Sequence, residues 1–213
     1  MSDLKDFYQI NDYLEKWVPE RPGEMLAMEE FANRTHFPII GPVCGYLCYQ
    51  IARMVGARTV FEMGSGYGYS TAWFARAVME NGGGKVHHVV WDEKLSNEAH
   101  GHLEKLGYAS LIEYHIAEAI ETLSQTPGPF DLIFNDIDKE CYPESLTTIR
   151  SKLRPGGVLI VDNLLWGGRV FDEYENDPGT AGVREFTRLL TSDPDWISTI
   201  IPIRDGMLVA YRT

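Results

Sequence analysis

The sequence predicts an α/β fold built on one open, mostly parallel sheet, and three observations carry that prediction. Short apolar runs alternate with longer amphipathic stretches from about residue 57 onward, the pattern of repeated strand–helix units. A glycine-rich turn, Gly64-Ser65-Gly66-Tyr67-Gly68, follows the first of these runs. The chain closes on WISTIIPIRDGMLVAYRT, two apolar runs about Arg204-Asp205-Gly206, which reads as a hairpin with an antiparallel strand near a sheet edge.

The elements follow in order. Phe7, Ile10, Leu14 and Trp17 fall at helical spacing, and Pro19 to Gly23 stop that element. A second helix is expected from Gly23 to Thr35. A third begins after Pro42 and ends near Gly56, with Leu47, Ile51, Met54 and Val55 facing inward. Thr59–Met63 is the first strand, and a helix over Tyr69–Met79 follows the glycine turn. Val86–Trp91 is the second strand and Asn97–Leu106 its helix. Leu111–His115, Phe130–Asn135 and Val158–Val161 are the next three strands, with a helix over Glu144–Lys152 before the last of them. Val183–Leu190 is the final helix. The chain therefore reads as a single domain over residues 1–213, with a helical cap over 1–56 and a sheet-bearing core over 57–213.

Composition narrows the function classes. At 44% hydrophobic and 23% charged residues the chain can bury a real core and is not a disordered polymer. No apolar run reaches membrane-spanning length, and the start, MSDLKDFYQINDYLEKW, carries acids where a secretory signal has an apolar core. Cys44, Cys48 and Cys141 show no zinc or disulfide spacing, which points to reduced thiols and a cytoplasmic protein. The net charge of −12 repels phosphate backbones, so a nucleic-acid partner is disfavoured.

The chemistry-bearing residues gather where strands end, which is where open α/β sheets bind ligands. The glycine turn precedes a helix N-terminus, so backbone N–H groups there face whatever carries negative charge. It is not the dinucleotide fingerprint, because Tyr69 occupies the third glycine position. An acid after the second strand suits ribose hydroxyls; Asp92 is the candidate, with Glu93 beside it. Two further segments, Phe134-Asn135-Asp136-Ile137-Asp138-Lys139-Glu140-Cys141-Tyr142 and Val161-Asp162-Asn163-Leu164-Leu165-Trp166-Gly167-Gly168-Arg169, follow the fourth and fifth strands. Neighbouring strands lie about 5 Å apart, so Asp136, Asp162 and Asn163 converge if these two pair. Two carboxylates and an amide oxygen form a hard donor set suited to magnesium, calcium or manganese. His36, His87, His88, His100, His102 and His115 form no evident ligand set, and His87 and His88 must point to opposite faces of a strand.

These segments resemble the cation-dependent O-methyltransferases of the caffeoyl-CoA and catechol type, whose motifs read roughly F-V-D-A-D-K-x-x-Y and V-D-N-x-L-W-x-G. The first loop likewise resembles the E-x-G-x-x-x-G-x-S loop of class I methyltransferases. The resemblance runs from about Gly23 to the C-terminus and takes in Gly45, Val183-Arg184-Glu185-Phe186 and Asp205-Gly206. It implies a Rossmann-like class I methyltransferase fold: a mostly parallel seven-stranded sheet with a C-terminal antiparallel hairpin and extra N-terminal helices. It implies S-adenosylmethionine (SAM) as cofactor. Gly64, Gly66 and Gly68 would receive its amino-acid part and Ser70 its carboxylate, with Glu62, Asp92, Glu118 and Asp136 completing the cofactor set. Glu118, in Ala117-Glu118-Ala119, would accept from the adenine amino group. Asp136, Asp162 and Asn163 become the metal ligands, Lys139 the general base acting beside Asp136, and Asp138 a neighbour of the cofactor pocket. Cys44 stands where the family usually has an acid, and no carboxylate matches the extra substrate-binding acid of catechol O-methyltransferases.

The implied reaction is transfer of a methyl group from SAM to a hydroxyl of a small phenolic or catechol-like molecule. The sulfonium is already activated, so the protein must supply an aligned oxyanion. A divalent cation on the phenol oxygen lowers its pKa, and two adjacent hydroxyls can both ligate it. Trp166 and Tyr142 are candidate walls for an aromatic ring, and Arg169 for an acidic group. A homodimer is implied by the resemblance. The competing expectations are O-methylation of a hydroxylated tRNA uridine, and a cofactor-binding domain without catalysis.

Overall fold

The computed structural model describes residues 4–213, with side-chain placement given from Gln9 onward. Three helices lead: α1 (Leu4–Glu15), α2 (Gly23–Thr35) and α3 (Gly41–Met54). The alternating core follows as β1 (Thr59–Met63), α4 (Tyr69–Glu80), β2 (Lys85–Val90), α5 (Glu93–Lys105), β3 (Ile112–Ile116), α6 (Ala119–Gln125), β4 (Phe130–Asn135), α7 (Tyr142–Lys152) and β5 (Leu153–Val161). It closes with α8 (Pro178–Ser192), β6 (Trp196–Ile201) and β7 (Met207–Arg212). The seven strands form one sheet in the order β3-β2-β1-β4-β5-β7-β6. Strands β1 to β5 pair in parallel, and β7 runs antiparallel to both β5 and β6. This is the mostly parallel sheet with a terminal antiparallel hairpin that the apolar runs predicted.

Period-two alternation divides the core between the two faces. Val60, Leu132, Phe134 and Ile160 pack with Cys48, Trp73 and Phe74 under the N-terminal helices. Phe61, Ile133 and Leu159 pack with Tyr142, Phe186 and Leu190 under α6 to α8. Strand order reverses between β1 and β4, and the crevice beyond their carboxyl ends is where such sheets take ligands.

Several sequence expectations need correction. Helix α1 ends at Glu15, and Ile10 and Trp17 are 54% and 71% exposed rather than packed; the side chain of Phe7 lies outside the described set. In α3 the buried stripe is Cys44, Cys48, Ile51 and Ala52, and Met54 is 78% exposed. Helices α5 and α8 begin earlier than their apolar periodicity, because Asp92 and Asp177 cap them: Leu95 N donates to Asp92 Oδ1 at 3.0 Å, and Gly179 N to Asp177 Oδ1 at 3.0 Å. Helix α6 carried too few apolar positions for its period to register. It exists because Glu118 caps it, accepting from Ile120 N at 2.9 Å and Glu121 N at 2.6 Å. Strand β5 starts at Leu153, its register against β4 shifting across residues 153–158. No described helix is long and apolar enough to cross a membrane.

Candidate active site

The floor of the site is the row of carboxyl ends of β1, β4 and β5. Asp136 N donates to Met63 O at 2.9 Å, and Asp162 N to Asn135 O at 3.2 Å, so the first residue beyond each strand is tied to its neighbour. Asp136 and Asp162 therefore stand side by side, as neighbouring strands required. The loop after β1 lies directly on this row. Gly64 adopts φ 85°, and a Cβ there would sit 2.3 Å from Asp136 O, so a side chain would force the loop off the sheet.

A cavity of about 650 Å³ opens above the floor, within the size range of small-molecule sites. Its walls include Gly64 and Gly66 from the first loop, Ala117 and Glu118 beyond β3, and Asp136, Asp138 and Lys139 beyond β4. Asp162, Asn163 and Trp166 come from beyond β5, Arg204 from the hairpin, and Phe37, Pro38 and Ile39 from the segment between α2 and α3. A small side recess shares Gly64, Gly66 and Asp136 with this cavity and reaches Ser70 at the start of α4. The glycine loop, Glu118, Ser70 and the acid set thus come together around connected space. Asp92 does not join them; it is exposed and spent on capping α5.

The electrostatics follow from burial. Lys139, only 8% exposed, donates to Asp136 Oδ1 at 2.6 Å and to Ile137 O at 3.2 Å. Burial pushes the Asp136 carboxyl up, against the pull of the Lys139 charge. Asp162 is pushed up to about 7 by burial and by the Asp136 charge, with Arg204 and Lys139 opposing. Asn163, at φ 62°, donates its amide to Asp205 Oδ2 at 3.1 Å, which leaves the amide oxygen as an acceptor. Asp205 also accepts from Gly167 N at 2.6 Å, so the hairpin holds the whole loop after β5. Beneath the first loop, Glu62 is fully buried and its carboxyl is pushed up to about 7 by burial, opposed by the hydroxyls of Ser70, Thr71 and Ser65. Thr71 Oγ1 donates to Glu62 Oε2 at 2.5 Å and lies 3.0 Å from His88 Nδ1, while Glu62 Oε1 has no protein partner.

Three wall assignments change. Tyr142 is fully buried and donates to the Asp162 carbonyl at 2.9 Å, so it braces the floor instead of facing a substrate. Arg169 stacks over Trp166 at 5.4 Å and lies outside the cavity wall, whereas Trp166 does line it. Arg204, Cys141 and the Phe37-Pro38-Ile39 segment, none singled out in the sequence, line it too. Cys44 is buried, its thiol pushed up to about 12 by burial. The histidines also need correction, since pairing of β2 with β3 brings His87, Glu113 and His115 within 4.8 Å of one another. His87 and His88 do face opposite sides: His87 stacks on Phe61, and His88 lies against Tyr114 with the rings tilted by 60°. The His87 and His115 rings are nearly coplanar at 16°, with Nδ1 and Nε2 3.0 Å apart and centroids 5.3 Å apart. Those two nitrogens are at hydrogen-bond distance, one carrying the proton and the other accepting it, so the pair is a hydrogen bond.

With the geometry in place, residues 40–213 match the family model described as O-methyltransferase. The chain belongs to the O-methyltransferase family. The enzyme is 29% identical over 215 residues to a catechol O-methyltransferase of Niastella koreensis, covering 96% of each chain. It is 31% identical over 177 residues to a catechol O-methyltransferase of Mycobacterium tuberculosis, covering 83% of this chain and 79% of that one. Its fold superposes on the O-methyltransferase TomG from Streptomyces achromogenes, solved in complex with SAM, with a TM-score of 0.88, 28% identity and full coverage of both chains. The enzyme is accordingly a SAM-dependent O-methyltransferase with a Rossmann-like sheet.

Proposed function

We propose that the enzyme transfers the methyl group of SAM to a hydroxyl of a small phenolic or catechol-like molecule, with a divalent cation held by Asp136, Asp162 and Asn163. The observation that carries this reading is the placement of two acids and a free amide oxygen on the floor of the cavity that the glycine loop enters. The donor chemistry fits a hard cation: both carboxyls are pushed up by burial, and Asp162 also by the Asp136 charge, so a positive charge between them relieves both. The cofactor fit is also local. The glycine loop lies flat on the sheet, Ser70 lines the side recess, and the buried Glu62 Oε1 lacks a partner that an ammonium group would supply.

When bound, the cation would acidify and orient a phenolic hydroxyl. Lys139 is the candidate to receive that proton once its own ammonium has released one to solvent, and its bonds to Asp136 and Ile137 hold the side chain in the wall. Trp166 and Phe37 supply flat apolar surface for a ring, and the recessed cavity excludes bulk water from the sulfonium. The recess and the net charge of −12 favour a small molecule over a tRNA uridine. A homodimer, a cytoplasmic setting and a single-domain organisation belong to the same proposal. Methyl-transfer turnover on a panel of catechols, with magnesium and with chelator, tests it: metal-dependent turnover is expected, and turnover indifferent to chelator would remove the cation from the reading.

A further inference from the structure

Arg204 is an anomaly on two counts. It adopts φ 44°, the left-handed region that a side chain makes unfavourable by about 1–2 kcal/mol. It also brings a half-buried guanidinium into the cavity wall that holds Asp162, Asn163 and Trp166. Its Nη1 donates to Ile39 O at 2.5 Å, and this is its sole side-chain hydrogen bond among the described residues. None of the salt bridges among those residues involves it, although its charge reaches both Asp136 and Asp162. The remaining donors of the fork are not among the buried unpartnered atoms of the described residues and are available to a ligand.

The charges of the wall indicate what that ligand is. Lys139 already pairs with Asp136, whereas Arg204, the other cation of the wall, has no salt bridge among the described residues. An anionic group on the substrate would pair with Arg204, and a planar carboxylate matches the fork of an arginine in two parallel hydrogen bonds.

We propose that Arg204 is a specificity-determining residue that binds a carboxylate on the substrate ring, so that the preferred substrates are dihydroxybenzoate-type acids and not neutral catechols. This rests on the proposed function and goes further by naming the substrate's second functional group. Phe37, Pro38 and Ile39 on one side and Trp166 on the other enclose the ring between the acid floor and the guanidinium. The bond from Arg204 to Ile39 then does double service, fixing both the fork and the wall segment beside it.

The test compares 3,4-dihydroxybenzoate with its methyl ester, in magnesium, by kcat/KM and by calorimetric binding to protein loaded with S-adenosylhomocysteine. The wild type should favour the acid by about 10- to 100-fold, the range of a charged hydrogen-bonded pair. Arg204→Gly keeps the left-handed backbone and should bring the two ligands to within a few-fold of each other; Arg204→Lys should keep part of the preference. A role limited to tethering residue 39 would weaken both ligands alike, so equal handling by the wild type, or an acid preference surviving in Arg204→Gly, overturns the assignment. The calorimetric ratio reads Arg204 even if neither compound is methylated, an outcome that would instead overturn the catechol reading.

Discussion

Glu62 and Asp162 are both buried acids at the site, and both are pushed up to about 7, yet their surroundings differ in kind. Glu62 lies inside β1, sealed under the glycine loop, with hydroxyls as its neighbours and one oxygen unpartnered. Asp162 lies just past β5 in the cavity wall, beside a second carboxylate and within reach of two cations. The same displacement therefore has two meanings. At Glu62 it reflects missing solvent first, with the Asp136 charge the smallest contribution, and one proton or one ammonium satisfies the group. At Asp162 it reflects missing solvent plus a like charge, and only a cation shared with Asp136 satisfies both.

The comparison can be broken in four places, taken in order of expected effect on catalysis. Asp162→Ala should lower magnesium-dependent kcat/KM by about three orders of magnitude, the rate equivalent of several kcal/mol, while cofactor affinity stays within a few-fold. Turnover and SAM calorimetry on the same preparation check this, and a variant that keeps its metal dependence would sink the ligand assignment. Glu62→Gln should show the reverse pattern, raising the SAM dissociation constant about tenfold or more through loss of one charged bond. Unchanged SAM affinity would make Glu62 a purely structural acid.

Gly182→Ala probes how α8 holds Lys139. A Cβ there would lie 2.3 Å from Lys139 O, so the turn carrying Lys139 must shift. A stability loss of about 1–3 kcal/mol is expected, with kcat falling more than SAM affinity, as thermal melting and kinetics together would report.

The effect furthest from catalysis is in pH. A carboxyl raised from 4.5 to about 7 keeps its proton in the folded state across a window where the unfolded chain has released it. The folded state binds more protons there, so stability of the cofactor-free enzyme falls as pH rises from about 4.5 to 7, by roughly 3 kcal/mol at most. His88, pushed down to about 3 by burial, acts oppositely and loses stability as pH drops below 6.5. The difference in melting temperature between wild type and Glu62→Gln isolates the acid. That gap should move in favour of the variant with rising pH, and a constant gap would contradict the assigned shift.

Much of this architecture was legible because it rests on local pattern. Runs such as Phe130–Asn135 are short, apolar and bounded, and Arg204-Asp205-Gly206 marks a turn whatever surrounds it. The acids after β4 and β5 stood out because ligands of parallel sheets gather at strand ends. Local pattern failed where a side chain's role depends on a distant partner. Tyr142 read as a ring-facing aromatic, but its hydroxyl is needed by the Asp162 carbonyl. Asp92 and Glu118 both read as cofactor acids, and both cap helices; only Glu118 also reaches the cavity. His87 and His115 are 28 residues apart, and only the β2–β3 register makes them neighbours.

The sequence by itself determined the α/β class, the glycine loop and the acids that follow β4 and β5, because strand period and turn chemistry are properties of residues and their near neighbours. Tertiary structure decided which groups share a cavity. Strand order set Asp136 beside Asp162, the hairpin carried Arg204 across to Ile39, and α8 pressed Gly182 onto the Lys139 turn. Those contacts join residues up to 165 positions apart, and the packing that creates them has no local signature in the chain.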